Sequence, residues 1–295
     1  MSSSYTLYDV DIETPETLRD ALRILGRERY RILAGGTDVL VQLRDGILRE
    51  RKLLNIYGLD ELRYIRNEEG MLRIGSLTSF TSIAESRAVR RYAPMLAQGA
   101  EKVGSVQIMN KATIGGNLGN ASPSGDSLPP LYALDAHLVL VSARGKREAS
   151  IGEFVRGYKQ LDLRPDELIS EFRVRKMGAR EDGVFLKHSL RFGEAISVVS
   201  VCVWVRRGKL RGEFTDARIA LGAVAPTIAR AHKSEEIVKG GVLNDKAIDA
   251  ASQAVGDSIS PITDVRGSLE YRREMAINLT HLALKELLAR SGKRK

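Results

Sequence analysis

The stretch from residue 111 to residue 126 sets the strictest limit on how this chain can fold. It reads KATIGGNLGNASPSGD and contains four glycines, two asparagines, three Ser or Thr hydroxyls and the closing Asp126. A stretch with so few bulky side chains cannot build a hydrophobic core. Glycine lets the backbone take positive φ angles and come close to a ligand, and consecutive N–H groups in such turns form concave anion sites. The composition therefore predicts a loop whose backbone contacts a ligand.

A shorter stretch of similar composition lies upstream, where residues 34–38 read AGGTD. Residues 34–38 are called the first glycine segment below, and residues 111–126 the second glycine segment. Two Gly-Gly pairs, each followed by hydroxyl and carboxylate groups, indicate one ligand that carries a diphosphate and a polyol. Neither segment ends in the Gly-Lys-Ser/Thr of a P-loop, and neither has the three spaced glycines of the dinucleotide fingerprint.

Each Gly-Gly pair also has a simpler interpretation, because such pairs are often only turns. For either segment taken alone, the turn is the better-supported interpretation. A helix cap is a further alternative for Thr37 or Asp38, since the apolar residues that follow them have helical spacing. The length of the second glycine segment and its mixture of Gly, Asn and Ser favour a ligand.

The charge of the chain raises the hypothesis of nucleic-acid binding. The sequence has 46 basic and 37 acidic residues, a formal net charge of +9, and a basic surface can attract nucleic acid. However, basic and acidic residues alternate in mixed runs such as 49–52 and 272–274, and aromatic residues make up only 5% of the chain. A nucleic-acid surface would need clustered cations interleaved with aromatic side chains. We therefore expect a solvated surface rich in ion pairs and no nucleic-acid partner.

The single cysteine and the hydrophobic pattern limit the other functional classes. Cys202 lies in an apolar run and cannot form an internal disulfide, which fits a reducing compartment. One cysteine also cannot hold an iron–sulfur cluster, and no pair of the four histidines has metal-ligand spacing. No apolar run is long enough to span a bilayer, and the N-terminus lacks the regions of a signal peptide. The sequence thus predicts a cytoplasmic protein without a metal site.

Hydrophobic periodicity divides the chain into three predicted units, residues 1–56, 57–177 and 178–295. A helix in the first unit is expected to start at Thr14 and to end at Gly26. Strands are expected before helices in the third unit, which indicates an α+β domain with a three-stranded antiparallel sheet. The further predicted strands are 30–33, 52–56, 64–66, 71–74, 136–141, 167–175, 184–190, 196–206 and 214–224. The further predicted helices are 79–86, 89–102, 127–134, 227–239, 245–256 and 268–290, the last with an apolar stripe that includes Leu282.

Three stretches together resemble a known family. Residues 32–38, residues 112–126, and residues 264–268 followed by 271–275 are similar to the FAD-binding medium subunit of molybdenum hydroxylases. This is the family of carbon monoxide dehydrogenase, xanthine dehydrogenase and archaeal aldehyde oxidoreductases, and the resemblance covers essentially the whole chain. It implies an α+β fold: a two-part FAD-binding domain of the PCMH type, with two α/β subdomains, followed by a C-terminal α+β domain.

The resemblance also implies how FAD is held. Both glycine segments would bind the diphosphate through backbone N–H groups, without a Rossmann-type helix terminus. Asp126 would accept hydrogen bonds from the adenosine ribose, since a carboxylate is a natural acceptor for a polyol. Lys187 would lie near the flavin ring, where a cation favours the reduced anionic flavin, and Ile196 would cover one face of the ring. Both residues could instead be ordinary strand residues. The implied cofactor-binding residues are Leu33, Ala34, Gly35, Gly36, Thr37, Asp38, Ala112, Thr113, Ile114, Gly115, Gly116, Asn117, Asn120, Gly125, Asp126, Ile169, Lys187 and Ile196.

The function implied by the resemblance is electron transfer within a complex. A large subunit with molybdopterin would oxidise the substrate, and a small subunit with 2Fe–2S clusters would pass electrons to the FAD of this chain. The FAD would then reduce an external acceptor, and the assembly would be a dimer of heterotrimers. No residue of this chain is expected to act as an acid, base or nucleophile. The alternative is a stand-alone FAD-dependent oxidoreductase of the same binding fold. Residues 264–268 are expected to start the last helix, with Ser268 as its cap.

Overall fold

A computed structural model of the chain describes residues 10–68, 70–191 and 193–291. The N-terminal residues on which the signal-peptide expectation rests lie outside these ranges, as does the end of the last predicted unit beyond residue 291. The described chain has three main sheets, each formed by one continuous part of the sequence. A separate two-stranded sheet lies within the second part.

The first part is a parallel sheet of strand order β1-β3-β2 with two helices. Its elements are β1 (Asp11–Glu13), α1 (Leu18–Leu25), β2 (Arg31–Leu33), α2 (Val39–Arg44) and β3 (Lys52–Asn55). Helix α1 begins after Thr17, whose hydroxyl accepts a hydrogen bond from the N–H of Asp20. The predicted cap at Thr14 is therefore wrong, because Thr17 offers the same hydroxyl one turn later, directly before the apolar face. Gly26 follows the helix as predicted.

The second part is built on an antiparallel sheet of strand order β4-β5-β10-β6-β7. Its elements are β4 (Ile65–Asn67), β5 (Met71–Gly75), α3 (Phe80–Glu85), α4 (Arg87–Tyr92), α5 (Pro94–Ala100), α6 (Val106–Lys111), α7 (Ile114–Asn120), α8 (Leu128–Ala133), β6 (His137–Ser142), β7 (Gly145–Ser150), α9 (Ile151–Phe154), β8 (Val155–Gly157), β9 (Gln160–Leu161) and β10 (Leu168–Arg175). A short 3-10 helix, Asp60–Leu62, precedes it. The helix predicted over 89–102 is two helices, because Pro94 lacks the N–H needed to continue α4 and starts α5 instead.

The second glycine segment is helical over its middle, contrary to the predicted loop. Helix α7 begins after Thr113, whose hydroxyl accepts a hydrogen bond from the N–H of Gly116. Ile114 and Leu118, one helical turn apart, are both fully buried. This capped and anchored turn outweighs the low helix propensity of the glycines. Ile114 and Leu118 form an i, i+4 apolar pair that is typical of a helix, but the glycines around them favoured the prediction of a loop.

The third part carries an antiparallel sheet of four strands, in the order β11-β12-β13-β14. Its elements are β11 (Glu181–His188), β12 (Val199–Arg207), β13 (Phe214–Gly222), β14 (Ala229–Arg230), α10 (His232–Lys239), α11 (Asp245–Ala254), a 3-10 helix (Val255–Ser258) and α12 (Leu269–Ser291). The prediction of three strands is wrong, because the sheet has a fourth. The additional strand is the edge strand β14, which lies within the stretch 227–239 that was predicted to be a helix. Two residues of strand give no alternating pattern that a sequence could reveal.

Helix α12 covers one face of this sheet. Its side chains Leu279, Leu284 and Leu287 are buried, but Leu282 is 57% exposed, so the predicted stripe was too broad by that residue. Ser268 caps the helix, as predicted, and accepts a hydrogen bond from the N–H of Tyr271. No helix among the described residues combines the length and the apolar character that a membrane crossing requires.

Apolar contacts hold the three parts of the chain together. Leu25 of α1 packs with Val139 of β6 in one cluster and so fixes the first part on the second. Alternate residues of β12 point to opposite faces of its sheet. Cys202 and Trp204 enter the core of the second part, whereas Val203 packs with the helices of the third. The sheet β11–β14 is thereby held against the second part.

Candidate cofactor-binding site

A cavity of about 360 Å³ lies between the first and second parts of the chain. Its volume falls in the range of small-molecule sites, about 300–1,000 Å³. The first glycine segment forms one wall, and the start of α7 with residues 112–113 forms another. A third wall comes from residues 159–169, which lead into β10. The predicted site residues that line it are Ala34, Gly35, Gly36, Thr37, Asp38, Ala112, Thr113, Gly115, Gly116, Asn117, Asn120 and Ile169.

The first glycine segment offers unused backbone donors to this cavity. Among the described residues, no acceptor is bonded to the N–H groups of Gly35, Gly36, Thr37 or Asp38. Gly36 has φ +76°, a conformation that a residue with Cβ rarely adopts. A Cβ on Gly35 would lie 1.9 Å from the carbonyl oxygen of Lys111. The two glycines therefore have separate roles: Gly36 makes the turn, and Gly35 allows the two glycine segments to touch.

The second glycine segment differs, because its N–H groups are already bonded. The N–H of Ile114 donates to Thr78 O at 3.1 Å, and that of Gly115 donates to Ser76 O at 2.8 Å. The next two N–H groups, of Gly116 and Asn117, donate to the Thr113 side chain and main chain. The expectation that both segments bind a diphosphate through N–H groups is thus not met at residues 114–117, because Thr78, Ser76 and Thr113 already accept hydrogen bonds from these donors.

What α7 offers instead is a patch of surface at its glycines that no side chain covers. A Cβ on Gly119 would have no neighbouring atom within 4 Å, and Gly119 lines the cavity. A Cβ on Gly116 would meet Thr113 Oγ1 at 2.9 Å and otherwise only Ala34, at 4.0 Å. A ligand can therefore come into direct contact with this turn of the helix.

Asn120 makes two side-chain hydrogen bonds, and one of them joins the two glycine segments. Asn120 Nδ2 donates to Asp38 Oδ1 at 3.1 Å, and Gln42 Nε2 donates to Asn120 Oδ1 at 3.2 Å. Burial of the carboxyl against the cavity walls raises the pKa of Asp38, and the positive charges of Lys159 and Arg31 oppose the rise. The residue as a whole remains exposed, but the immediate surroundings of the carboxyl decide its pKa.

Asp126 and Lys187 lie away from this cavity and bind each other. Lys187 Nζ donates to Asp126 Oδ2 at 2.7 Å, and Ser197 Oγ donates to Asp126 Oδ1 at 2.7 Å. The ammonium also donates to the carbonyl oxygens of Lys102 and Ala195. Burial raises the pKa of Asp126, while Lys187 and Ser197 act to lower it. The structure gives Asp126 two protein donors where a ribose hydroxyl was expected, and it gives the Lys187 ammonium three protein acceptors.

The remaining predicted residues also lie outside the cavity lining. Leu33, Ile114, Gly125 and Ile196 join Asp126 and Lys187 in this group. Ile114 is buried in the core, whereas Ile196 is 52% exposed. Asn117 connects the two regions, because it lines the cavity and its Oδ1 accepts a 2.8 Å hydrogen bond from Ser127 Oγ, next to Asp126.

Several lining residues were missed by the sequence analysis. The most informative is Ser76, which follows β5 and whose Oγ is buried without a hydrogen-bond partner. Arg29, Arg31 and Lys159 add positive charge to the lining. The tertiary fold places each of these residues at the cavity, so no local sequence motif predicts its position there. The missed apolar residues of the third wall are Leu161, Leu163, Pro165 and Leu168.

Residues 264–268 have a structural role at the start of α12. Arg272 is buried and donates to Asp264 Oδ1 at 2.6 Å, and to the carbonyl oxygens of Val198 and Ala223. These bonds tie the start of α12 to β12 and to the end of β13. Within the described ranges, no group of three or more His, Cys, Asp or Glu side chains could hold a metal ion.

Comparison with known families and proteins gives consistent matches over nearly the whole chain. Residues 8–175 match the family described as the FAD binding domain in molybdopterin dehydrogenase. Residues 185–287 match the CO dehydrogenase flavoprotein C-terminal domain. The chain is 34% identical to the xanthine dehydrogenase FAD-binding subunit of Escherichia coli O157:H7, covering 94% of this chain and 95% of that protein.

Two further relatives extend these matches. The glyceraldehyde dehydrogenase medium chain of Sulfolobus acidocaldarius is 33% identical, covering 92% of this chain and 96% of that protein. Among solved structures, a carbon monoxide dehydrogenase from Hydrogenophaga pseudoflava, which lacks the Mo-pyranopterin moiety of its cofactor, aligns with a TM-score of 0.91. The two are 28% identical, and the alignment covers 95% of this chain and 98% of the other.

Proposed function

Since this chain belongs to the family of FAD-binding subunits of molybdopterin dehydrogenases, as its motifs predicted, we propose that it binds one FAD and relays electrons to an external acceptor. The observation that carries the proposal is the cavity between the two glycine segments, which presents free N–H groups on one side and a bare helix turn on the other. The electrons would come from a partner subunit that carries iron–sulfur clusters.

The residues of the cavity fit such a cofactor. Unbonded N–H groups at 35–38 suit phosphate oxygens, and the partnerless hydroxyl of Ser76 suits a polar ligand atom. The space beside Gly119 suits a group that packs against the helix, and the apolar side chains of the third wall suit a flat ring. Bound FAD supplies the redox chemistry, while the protein supplies binding, orientation and electrostatics.

We assign different tasks to the predicted residues on the basis of their positions. The twelve that line the cavity are proposed to contact the FAD directly. Asp126 and Lys187 form a buried pair that holds β11 against the second glycine segment, so we propose that they position the site. Ile196, half exposed on the loop before β12, offers an apolar surface for the flavin ring.

The proposed partners follow from family membership and from the cysteine count. The matched relatives include dehydrogenase medium chains and FAD-binding subunits, whose names imply further subunits. The single cysteine of this chain cannot hold a 2Fe–2S cluster. We therefore propose that a small subunit carries the clusters, that a large subunit carries molybdopterin, and that the complex is a dimer of heterotrimers in the cytoplasm.

Absorption spectroscopy of the purified chain tests the cofactor. The visible spectrum should show bound flavin, and acid release followed by chromatography should yield FAD at about one per chain. Reduction of this flavin by the co-purified iron–sulfur subunit, but not by the substrate with the isolated chain, supports the relay. A chain that binds no FAD alone or with its co-purified partners overturns the proposal. Turnover by the isolated chain would favour a stand-alone oxidoreductase.

A further inference from the structure

Lys159 occupies a backbone conformation that lysine rarely adopts. It lies in the two-residue turn between β8 and β9, where Gly157 pairs with Gln160, and its φ angle is +53°. Such tight hairpin turns favour glycine, asparagine or aspartate at positive φ, because a larger side chain crowds the backbone there. A strained residue of this kind persists when the surrounding structure or a function requires it.

The charge of Lys159 is unpaired and lies at the cavity. Lys159 lines the cavity, and no carboxylate of the described residues lies within ion-pair distance of its ammonium. Its ammonium has instead a contact with the ring of the neighbouring Tyr158, 5.9 Å from the centroid. Arg31 lines the same cavity and likewise makes no ion pair with a described residue. Two cations of the lining are thus without an ion-pair partner among the described residues.

Both cations lie near the first glycine segment. Lys159 and Arg31 each lower the pKa of Asp38 through their charge, against the effect of burial. Asp38 closes the segment whose N–H groups at 35–38 are free. The free donors and the two cations therefore converge on the same side of the cavity, where an anion would receive both hydrogen bonds and charge.

We propose that Lys159, together with Arg31, binds the phosphates of the FAD, and that the strained turn is kept because it holds the ammonium at the cavity. This inference rests on the proposed function and assigns a role to a residue outside the family motifs. It separates two contributions to phosphate binding: the first glycine segment supplies directed N–H donors, and the hairpin supplies the charge.

A glycine at position 159 separates this role from a structural one. Glycine adopts the positive φ angle without crowding, so Lys159→Gly should fold with equal or higher thermal stability. Because Lys159 is exposed in the structure, water screens part of its charge, and we expect FAD affinity to fall only about fivefold. The affinity of the unaltered chain should decrease with added salt, and that of Lys159→Gly should decrease less.

Two further variants complete the experiment, in which FAD titrations of the full chain are run at low and high ionic strength. Lys159→Arg keeps the charge and should bind FAD within about twofold of the unaltered chain, with the same salt dependence. Ala223→Gly is the backbone control, because Ala223 also has a positive φ angle, +63°, and lies outside the cavity lining. It should relieve similar crowding and leave FAD affinity unchanged.

The outcomes separate the inference from the proposed function. Weaker FAD binding and a smaller salt dependence in Lys159→Gly, with Lys159→Arg and Ala223→Gly unchanged, support the role of Lys159. Equal affinity and equal salt dependence in Lys159→Gly and the unaltered chain overturn that role and leave the proposed function standing. An unaltered chain that binds no FAD at either ionic strength, alone or with its co-purified partners, overturns both.

Discussion

The two glycine segments have similar compositions, but the structure uses them in different ways. In the first segment, the N–H groups of residues 35–38 have no acceptor among the described residues, and Gly36 has a positive φ angle. In the second, residues 114–120 form a capped helix whose early N–H groups are all bonded within the protein. The first segment can therefore donate hydrogen bonds to a ligand from its main chain, while the start of α7 offers a surface and side chains.

The difference shows what a glycine in the sequence can predict. It indicates a position where a side chain does not fit or where the backbone conformation is unusual, but it does not say whether protein or ligand occupies the space. Gly35 and Gly115 make room for protein atoms, since added Cβ atoms would lie 1.9 Å from Lys111 O and 2.7 Å from Ser76 Cβ. Gly119 leaves room for something outside the protein. Substitutions can separate these roles.

Breaking the Asp126–Lys187 pair should have the largest effect, because the second segment is held by this contact. Both side chains are over 90% buried, with exposures of 5% and 8% for Lys187 and Asp126. Removing one partner leaves an uncompensated buried charge, so Lys187→Met should lower the free energy of unfolding by about 3–5 kcal/mol. Chemical denaturation measures this. Lys285→Met is the control, because the Lys285–Asp245 pair is on the surface and should matter little.

The stability of Lys187→Met should also depend on pH. Burial raises the pKa of Asp126 in the folded state, and the variant lacks the ammonium that opposes this rise. A carboxyl whose folded pKa exceeds its unfolded pKa takes up protons on folding, so the folded variant gains stability as pH falls through that folded pKa. The deficit relative to the unaltered chain should therefore shrink in mild acid. A deficit independent of pH would mean that lost packing, and not the stranded carboxylate, causes the damage.

Gly35→Ala should have the next largest effect, because it separates the two segments. The new Cβ would overlap the carbonyl oxygen of Lys111, a backbone atom that cannot rotate away. Overpacking of this kind costs about 1–3 kcal/mol of folding free energy, and FAD affinity should fall with it. Gly58→Ala is the control, since a Cβ there meets nothing within 4 Å. If both variants unfold at the same denaturant concentration, the segments are not in fixed contact.

Gly119→Val tests the bare surface of α7 without disturbing its packing. A side chain at this position enters open space next to the cavity, and valine has a higher helix propensity than glycine. The fold should be unchanged, while FAD affinity should fall about thirtyfold, about 2 kcal/mol. The matched control is Gly152→Val in α9, also a helical glycine with open space but outside the lining. Undiminished FAD binding by Gly119→Val would place the cofactor away from the helix.

Much of the fold was predictable because its patterns are local. Strand β10, the β4/β5 hairpin and the long helix α12 all follow from alternation, turn residues and helical periodicity. The motifs around both glycine segments also identified the family correctly. The missed helix α7 has a local signal, the apolar pair Ile114 and Leu118, but the glycines around it suggested a loop.

The chemistry of the site was less predictable, because it depends on contacts between distant parts of the chain. Asp126 and Lys187 are 61 positions apart, so their pairing could not be inferred from either neighbourhood. Whether an N–H is free or bonded likewise depends on the partner strand: Gly115 is satisfied only because Ser76 O lies beside it. Lys159 enters the lining through a turn whose sequence suggests no ligand.

Ser76→Ala should have the smallest effect. It tests whether the hydroxyl at the end of β5, where the second segment contacts that strand, bonds the cofactor. The Ser76 hydroxyl is buried without a partner, and removing such a group should raise the free energy of unfolding by up to about 1 kcal/mol. If the hydroxyl bonds the cofactor, FAD affinity should fall about tenfold, as expected for one lost hydrogen bond. Ser200→Ala is the control, because its hydroxyl is also buried and unpartnered but lies outside the cavity. A more stable Ser76→Ala with unchanged FAD affinity would show that this hydroxyl does not bond the cofactor at the place where the second segment meets β5.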